Sequence, residues 1–261
     1  MGEPTLIPSK VKEKLRRRER VIGTMITESR HPEVTRALAS AGLDFVFIDT
    51  EHCPYDLETV HALCRDARRW GIAPVVRVAD TEYDLLCRTL DAGASGLMVP
   101  RVETREQLER IVEYAFFPPR GRRGCAMRSV TMDYQPMSAA DYIQAANDNL
   151  ILVIQIESRR ALDNLDDMLS VAGPDVALVG PLDLSISLGV PGQFRHDALL
   201  DALDEVGHAC ERHGVTAGIH APSLELVQEC VNRGFRWLTY SGDGGLLTAG
   251  ARAAREQIEN M

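Results

Sequence analysis

FVFIDTEHCPYD, residues 45–56, decides the fold. Its first five residues form an apolar run that closes on Asp49. Glu51, His52 and Asp56 follow at once, interrupted by Pro54. The run is continuous rather than alternating, which suits a strand covered on both faces, as in a parallel sheet. A buried strand that ends in so many ionisable groups calls for an architecture whose strand ends carry function.

Runs of the same kind recur along the chain: VIGTMI (21–26), PVVRV (74–78), GLMVP (96–100), LILVIQIE (150–157), VALVG (176–180), TAGIH (216–220) and RWLTYS (236–241). Helical segments lie between them. DLETVHALCRDARRWG (56–71) opens on a capping Asp and ends on Gly, and HPEVTRALASAG, TEYDLLCRTLDAG, TREQLERIVEYA, ALDNLDDMLSVAG, 197–213 and SLELVQECVNRG follow a similar grammar. Eight strands alternating with helices predict an α/β fold, a (β/α)8 TIM barrel forming a single domain over residues 1–261. The rival, a doubly wound open sheet, usually carries a glycine fingerprint after its first strand, and VIGTMITESR is not one.

The 261 residues are 45% hydrophobic and 26% charged, ordinary for a globular chain with a sizeable core. A net charge of −9 argues against nucleic acid as a partner, because phosphate contacts supply most of that affinity. The six cysteines, at 53, 64, 87, 125, 210 and 230, form no CxxC pair or zinc pattern and read as reduced thiols. The polar N-terminus carries no signal peptide and no run is long and apolar enough to span a membrane, so a soluble, cytoplasmic protein is expected. KLRRRER (14–20) reads as part of a solvated amphipathic helix, and 116–137 as a long loop.

In such a barrel the active site sits at the C-terminal ends of the strands. Asp49 ends the second strand, with Glu51 and His52 in the following turn. Arg77 ends the third. Gln155 and Glu157, two apart and therefore on one face, end the fifth, and Asp183 follows the sixth in GPLDLS. Taken singly, each has a structural reading as a cap, a salt-bridge partner or a core histidine. Together they converge on one mouth. Glu157 is the hardest to read structurally, since a carboxylate in LILVIQIES is costly without a cation or donor beside it. Two carboxylates without Cys or His partners suit a hard divalent cation such as Mg²⁺. Chelated by a 2-oxo acid, such an ion acts as a Lewis acid and stabilises an enolate. Arg77 can hold a carboxylate or offset developing charge, and His52 is a candidate base that Asp49 or Asp91 could orient. The only lysines are Lys10, Lys12 and Lys14, none in a strand, so a Schiff-base route has no nucleophile.

FVFIDTEHCPYD, PVVRV, LDAGASGLMVPRV, PPRGRRG, VIQIES and VGPLDLS, in this order over roughly residues 20–250, resemble the motifs of the HpcH/HpaI aldolases, the class II pyruvate aldolases. The resemblance implies a (β/α)8 barrel that reversibly cleaves a 4-hydroxy-2-oxo acid to pyruvate, or a related 2-oxo acid, and an aldehyde, with Mg²⁺, Mn²⁺ or Co²⁺. It implies His52 as proton acceptor, Arg77 as the stabilising arginine, and Asp91 as the residue that raises the basicity of the histidine. Glu157 and Asp183 would be the metal ligands. Gln155 and the backbone of Leu182 would contact the oxo acid, with Asp183. Leu182 stands where the family more often has a small residue, and Cys53 where Ala or Gly is commoner, so both bear on acceptor size. An oxaloacetate decarboxylase of similar design is the alternative enzyme, and a silent metabolite-binding barrel the alternative class.

The family also implies a homo-oligomer, hexamer or trimer, in which the C-terminal helix within GGLLTAGARAAREQIEN packs on a neighbouring subunit. SGDGG (241–245) could instead cradle a phosphate at a helix N-terminus. RGRR (120–123) is expected in a loop at the catalytic mouth. There Arg120, Arg122 or Arg123 would meet the far carboxylate of a dicarboxylic substrate or a carboxylate on a neighbouring subunit, unless the loop is plain solvated surface.

Overall fold

Eight parallel strands close on themselves in chain order: β1 Val21–Ile26, β2 Phe45–Asp49, β3 Ala73–Arg77, β4 Gly96–Val99, β5 Ile151–Ile156, β6 Val176–Val179, β7 Thr216–Ala221 and β8 Trp237–Gly242, with β8 pairing back on β1. This computed structural model describes residues 9–127, 131–132 and 135–261. The barrel and the strand positions agree with the sequence reading to within a residue or so at each end.

Side chains alternate along each strand. One set, including Phe45, Phe47, Val75, Met98, Val153, Leu178 and Trp237, fills the barrel interior. The other set, including Val46, Ile48, Val76, Leu152, Ile154, Val179 and Ile219, packs against the surrounding helices. Both faces are dry, which is why the runs are continuous in sequence. The helix Leu57–Trp70 starts where the Asp56 side chain accepts from the Thr59 amide and ends at Gly71, whose φ of 74° favours glycine. Thr104 and Gln107 form a reciprocal capping box at the helix Arg105–Ala115.

Five features depart from the sequence reading. The helix Lys10–Arg16 is not simply solvated: Val11 and Leu15 join the interior cluster and plug the barrel at its N-terminal end, with Lys12 donating to the Leu150 carbonyl at 2.5 Å and lying 3.2 Å from Asp175. The helix Ala139–Asn149 was not foreseen, and GPLDLS forms the start of a helix, Pro181–Ser187. ALDNLDDMLSVAG splits at Asn164 into two short helices.

The fifth is the long loop. Residues 128–130 and 133–134 of it lie outside the described residues. The rest follows the C-terminal end of the helix Arg105–Ala115, which has already run back from the mouth, so the loop sits at the opposite end of the barrel. Its arginines bind their own chain there. Arg123 pairs with Asp91 at 2.6 Å, Arg122 with Glu113 at 2.9 Å, and Arg120 donates to the Asn147 carbonyl at 3.2 Å while stacking on Phe116. The expectation that RGRR lines the mouth of its own barrel is therefore corrected. The sequence located the loop between β4 and β5 but not on which side of the intervening helix it falls.

Candidate active site

Register fixes which side chains meet inside the mouth. Counting two strands round the barrel raises the level by two residues: Met25 pairs through Phe47 to Val75, Arg77 through Met98 to Val153, Gln155 through Leu178 to Gly218, and His220 through Thr239 to Gly23. Met25, Arg77, Gln155 and His220 therefore form one layer across the axis, as inward residues of alternate strands do. It is the last layer before the loops, and three of its four members are polar.

Asp49, 1% exposed, grips Arg77 with both oxygens, from Nε at 2.8 Å and Nη2 at 2.7 Å, and also accepts the Glu51 amide at 3.0 Å. Burial alone would raise this carboxyl, but the guanidinium fork overrides it and holds Asp49 below the usual carboxylate range. Arg77 also lies 3.4 Å from Glu51, which takes Arg101 at 2.9 Å. Arg101, with φ of 55° just after β4, turns its amide to Glu157 Oε2 at 3.1 Å and its side chain to the Ala79 carbonyl at 2.7 Å. Gln155 Nε2 donates to Glu157 Oε1 at 2.7 Å. Glu157 is thus held from two sides, and it rests against Gly180: a Cβ there would lie 2.4 Å from Oε1. Burial raises Glu157 to about 7, and the charges of Asp183 and Glu51 add to the rise against the Arg101 amide and Arg77.

Leu182 and Asp183 occupy the first turn of the helix Pro181–Ser187, where backbone amides have no helical partner; Leu182 is 54% exposed and Asp183 is exposed at the mouth. His52 sits on the rim with its side chain 65% exposed. Neither carboxylate expected to orient its ring does so within the chain. Asp49 accepts the His52 backbone amide at 3.4 Å, positioning the turn, while the nearest carboxylate to the ring is Glu51, 3.9 Å from Nε2. Asp91 closes the helix Tyr83–Asp91, nine residues and so ~13 Å down from the mouth, and is held there by Arg123. Within one chain, therefore, Asp91 does not reach His52: a residue at the far end of a βα unit faces the other end of its own barrel. Cys53 donates to Asp49 Oδ2 at 3.3 Å, and burial with that neighbour pushes its thiol up to about 11, so it stays protonated. The SGDGG segment starts the helix Asp243–Glu259, but Asp243 spends its own carboxylate on the amides of Thr27, Glu28 and Ser29, and Gly244 packs against the Glu28 carboxylate, so acids of the chain occupy the place a phosphate would take.

Glu51, Arg101, Gly180 and His220 received no role from the sequence. Arg101 was findable, since it follows β4 as Arg77 ends β3. Gly180 and His220 were not: Gly180 matters through the Glu157 carboxylate that the neighbouring strand end lays against it, and His220 through what stands across the barrel.

Linked around Arg77 and Glu157 are four acidic side chains, Asp49, Glu51, Glu157 and Asp183, and two guanidiniums, Arg77 and Arg101. Among the described residues no three His, Cys, Asp or Glu side chains cluster tightly enough to hold a metal alone. More acidic groups than guanidiniums, two carboxyl side chains able to offer oxygens, and a buried carboxyl that resists ionising without a cation fit a hard divalent ion that keeps open positions. Gln155 Oε1, buried without a partner, adds an acceptor facing this space. All three lysines belong to the opposite end of the barrel.

The HpcH/HpaI aldolase/citrate lyase family model matches residues 24–249. The 2-keto-3-deoxy-L-rhamnonate aldolase of Escherichia coli K12 is 32% identical over 238 residues, 91% of this chain and 88% of that protein. An HpcH/HpaI aldolase from Desulfitobacterium hafniense DCB-2 superposes with a TM-score of 0.90 at 32% identity, covering 96% of this chain and 97% of that one. A family protein from Burkholderia cenocepacia J2315 gives 0.87 at 33% identity, covering 96% and 99%.

Proposed function

The chain belongs to the HpcH/HpaI aldolase/citrate lyase family and is an aldolase, a carbon–carbon lyase, and on that premise we propose how its residues do the work and on what. The family depends on a divalent metal; here Glu157 and Asp183 are the ligands, and Mg²⁺, Mn²⁺ or Co²⁺ the ions. When bound, the ion supplies a Lewis acid to the 2-oxo acid. The substrate is a 4-hydroxy-2-oxo acid, cleaved reversibly to pyruvate or a close relative and an aldehyde, the class to which the similar 2-keto-3-deoxy-L-rhamnonate aldolase belongs by name.

The chain's own groups divide the task by depth. Gln155 and the first-turn amides around Leu182 orient the oxo-acid end. His52, on the rim, takes the proton of the 4-hydroxyl as C3–C4 breaks. Arg77, fixed by two bonds to Asp49, faces the negative charge that develops on the buried fragment without having to reorganise. The exposed His52 matches an aldehyde half that leaves toward solvent.

The observation that carries the reading is the buried Glu157 carboxyl crowded by Asp183 and Glu51, joined to the position of every lysine at the other end. The test is turnover of 4-hydroxy-2-oxo acids with tails of different charge, with and without EDTA. Activity that vanishes in chelator and returns with Mg²⁺, Mn²⁺ or Co²⁺ supports it. Full activity in chelator, or trapping of substrate by borohydride, refutes it. The protein also forms a homo-oligomer, hexamer or trimer, through the helix Asp243–Glu259. What supports this is that Asp243 is its only buried residue, with Leu247 76% exposed. Among the described residues no helix is long and apolar enough to cross a membrane.

A further inference from the structure

His220 stands in the same layer as Arg77 and Gln155, and nothing above gives it work. It points inward: Gly218, two residues earlier on β7, faces the interior side chains of Val176 and Trp237, whereas Ile219 belongs to the outer cluster. β7 lies across the barrel from β3, so His220 faces Arg77 over the axis, as Met25 on β1 faces Gln155 on β5.

The imidazole has a defined tautomer. Its Nε2 is 3.3 Å from the Ser241 carbonyl. A carbonyl can only accept, so Nε2 carries a proton. Burial lowers the ring's affinity for a second proton, so Nδ1 keeps its lone pair. No protein group among the described residues meets Nδ1. The ring is thus a neutral acceptor, aimed at the floor of the mouth and locked by the strained Ser241, whose φ is 58°.

Depth assigns what the acceptor meets. The aldehyde half of a substrate lies outward, toward His52. The carboxylate and carbonyl of the oxo-acid half are engaged by Gln155, Arg77 and the first turn of Pro181–Ser187. Two corners of the layer remain for C3 of the buried fragment: Met25, which suits C–H, and His220, which suits a hydrogen-bond donor. Resting on the aldolase reading, we propose that His220 is a specificity-determining residue that accepts a hydrogen bond from a hydroxyl on C3, so that the enzyme handles 3-hydroxy-2-oxo acids as well as pyruvate. The matching cleavage breaks C3–C4 of a 3,4-dihydroxy-2-oxo acid, gives the 4-hydroxyl proton to the base, and returns one proton to C3. The products are 3-hydroxypyruvate and an aldehyde, with no change of overall oxidation state.

The experiment compares 3-hydroxypyruvate with pyruvate in the Mn²⁺-loaded wild type, His220→Leu and His220→Gln. Calorimetry gives the ratio of the two affinities, and exchange of the C3 protons for deuterium gives the ratio of the two rates. His220→Leu should shift both ratios against 3-hydroxypyruvate by about tenfold, the worth of one hydrogen bond left unmade. His220→Gln, whose side-chain carbonyl accepts, should recover part of the shift. In the wild type the Nδ1 nitrogen resonance should move on adding 3-hydroxypyruvate and stay with pyruvate, a readout that survives if a variant does not fold. Ratios unchanged in His220→Leu, or an Nδ1 resonance indifferent to 3-hydroxypyruvate, would overturn the assignment. Absence of exchange with both acids, while the calorimetric ratio and the resonance behave as stated, would sink the aldolase reading and leave His220 assigned.

Discussion

Gly180→Ala tests the site with one methyl group. The backbone at Gly180, φ −91° and ψ 92°, is open to any residue, so the change adds no backbone strain. The added Cβ, however, would stand 2.4 Å from Glu157 Oε1 and 2.8 Å from its Cγ. The carboxylate has to swing away, and in doing so it gives up the bonds from Gln155 Nε2 at 2.7 Å and the Arg101 amide at 3.1 Å. At about 1 kcal/mol net for each hydrogen bond, the arrangement loses ~2 kcal/mol, or roughly 30-fold in metal affinity. Mn²⁺ titration followed by electron paramagnetic resonance should show this weakening, and the Mn²⁺ needed for half-maximal turnover should rise in step. Circular dichroism should report an intact barrel, because the outer cluster around β6 is untouched. Wild-type Mn²⁺ affinity in Gly180→Ala would refute both the ligand role of Glu157 and the geometry that holds it.

His52→Ala should lower kcat for aldol cleavage by about 10²–10⁴, the usual worth of a general base, and should slow pyruvate proton exchange less; an unchanged cleavage rate would make His52 structural. Asp49→Ala strands a buried Arg77 and should cost about 3–5 kcal/mol, read as a fall in Tm of roughly 6–20 °C, with Glu51 at 3.4 Å tempering the loss. Because the folded Asp49 carboxyl lies below its unfolded value, its stabilisation is present above about pH 4 and disappears as pH falls through the folded value; the variant should show a flatter acid limb in urea melts, and an identical limb would contradict the pairing. Asp91→Ala should act through Arg123, whose guanidinium is buried, and therefore through the stability of the loop near Phe117, measured by hydrogen exchange; loss of activity in an unassembled chain with that loop intact would contradict its placement.

The strand runs of this sequence were legible because a parallel barrel buries both faces, leaving uninterrupted apolar stretches that stop where chemistry begins. Asp49, Arg77, Gln155, Glu157 and Asp183 were found by that rule alone, as strand-end or near-end residues. The rule reads position along a strand, and position along a strand is local. The Asp49–Arg77 fork lies within its reach, since β2 and β3 are neighbours in sequence and space. What stands across the barrel lies outside it. His220 looks like one polar residue in TAGIHA until eight strands close and bring it opposite Arg77. Gly180, by contrast, meets a neighbouring strand end, yet it looks like a turn glycine until the side-chain packing of β5 on β6 lays Glu157 against it. Asp91 and RGRR look like members of the mouth until the direction of each helix is known, because a helix returns the chain to the far end before the next strand starts. The sequence by itself determined the barrel, the list of strand-end acids and bases, and the absence of a strand lysine. Only the tertiary structure decided which end each loop belongs to and which side chains face one another over the axis, since both depend on ring closure and register between strands distant in the chain.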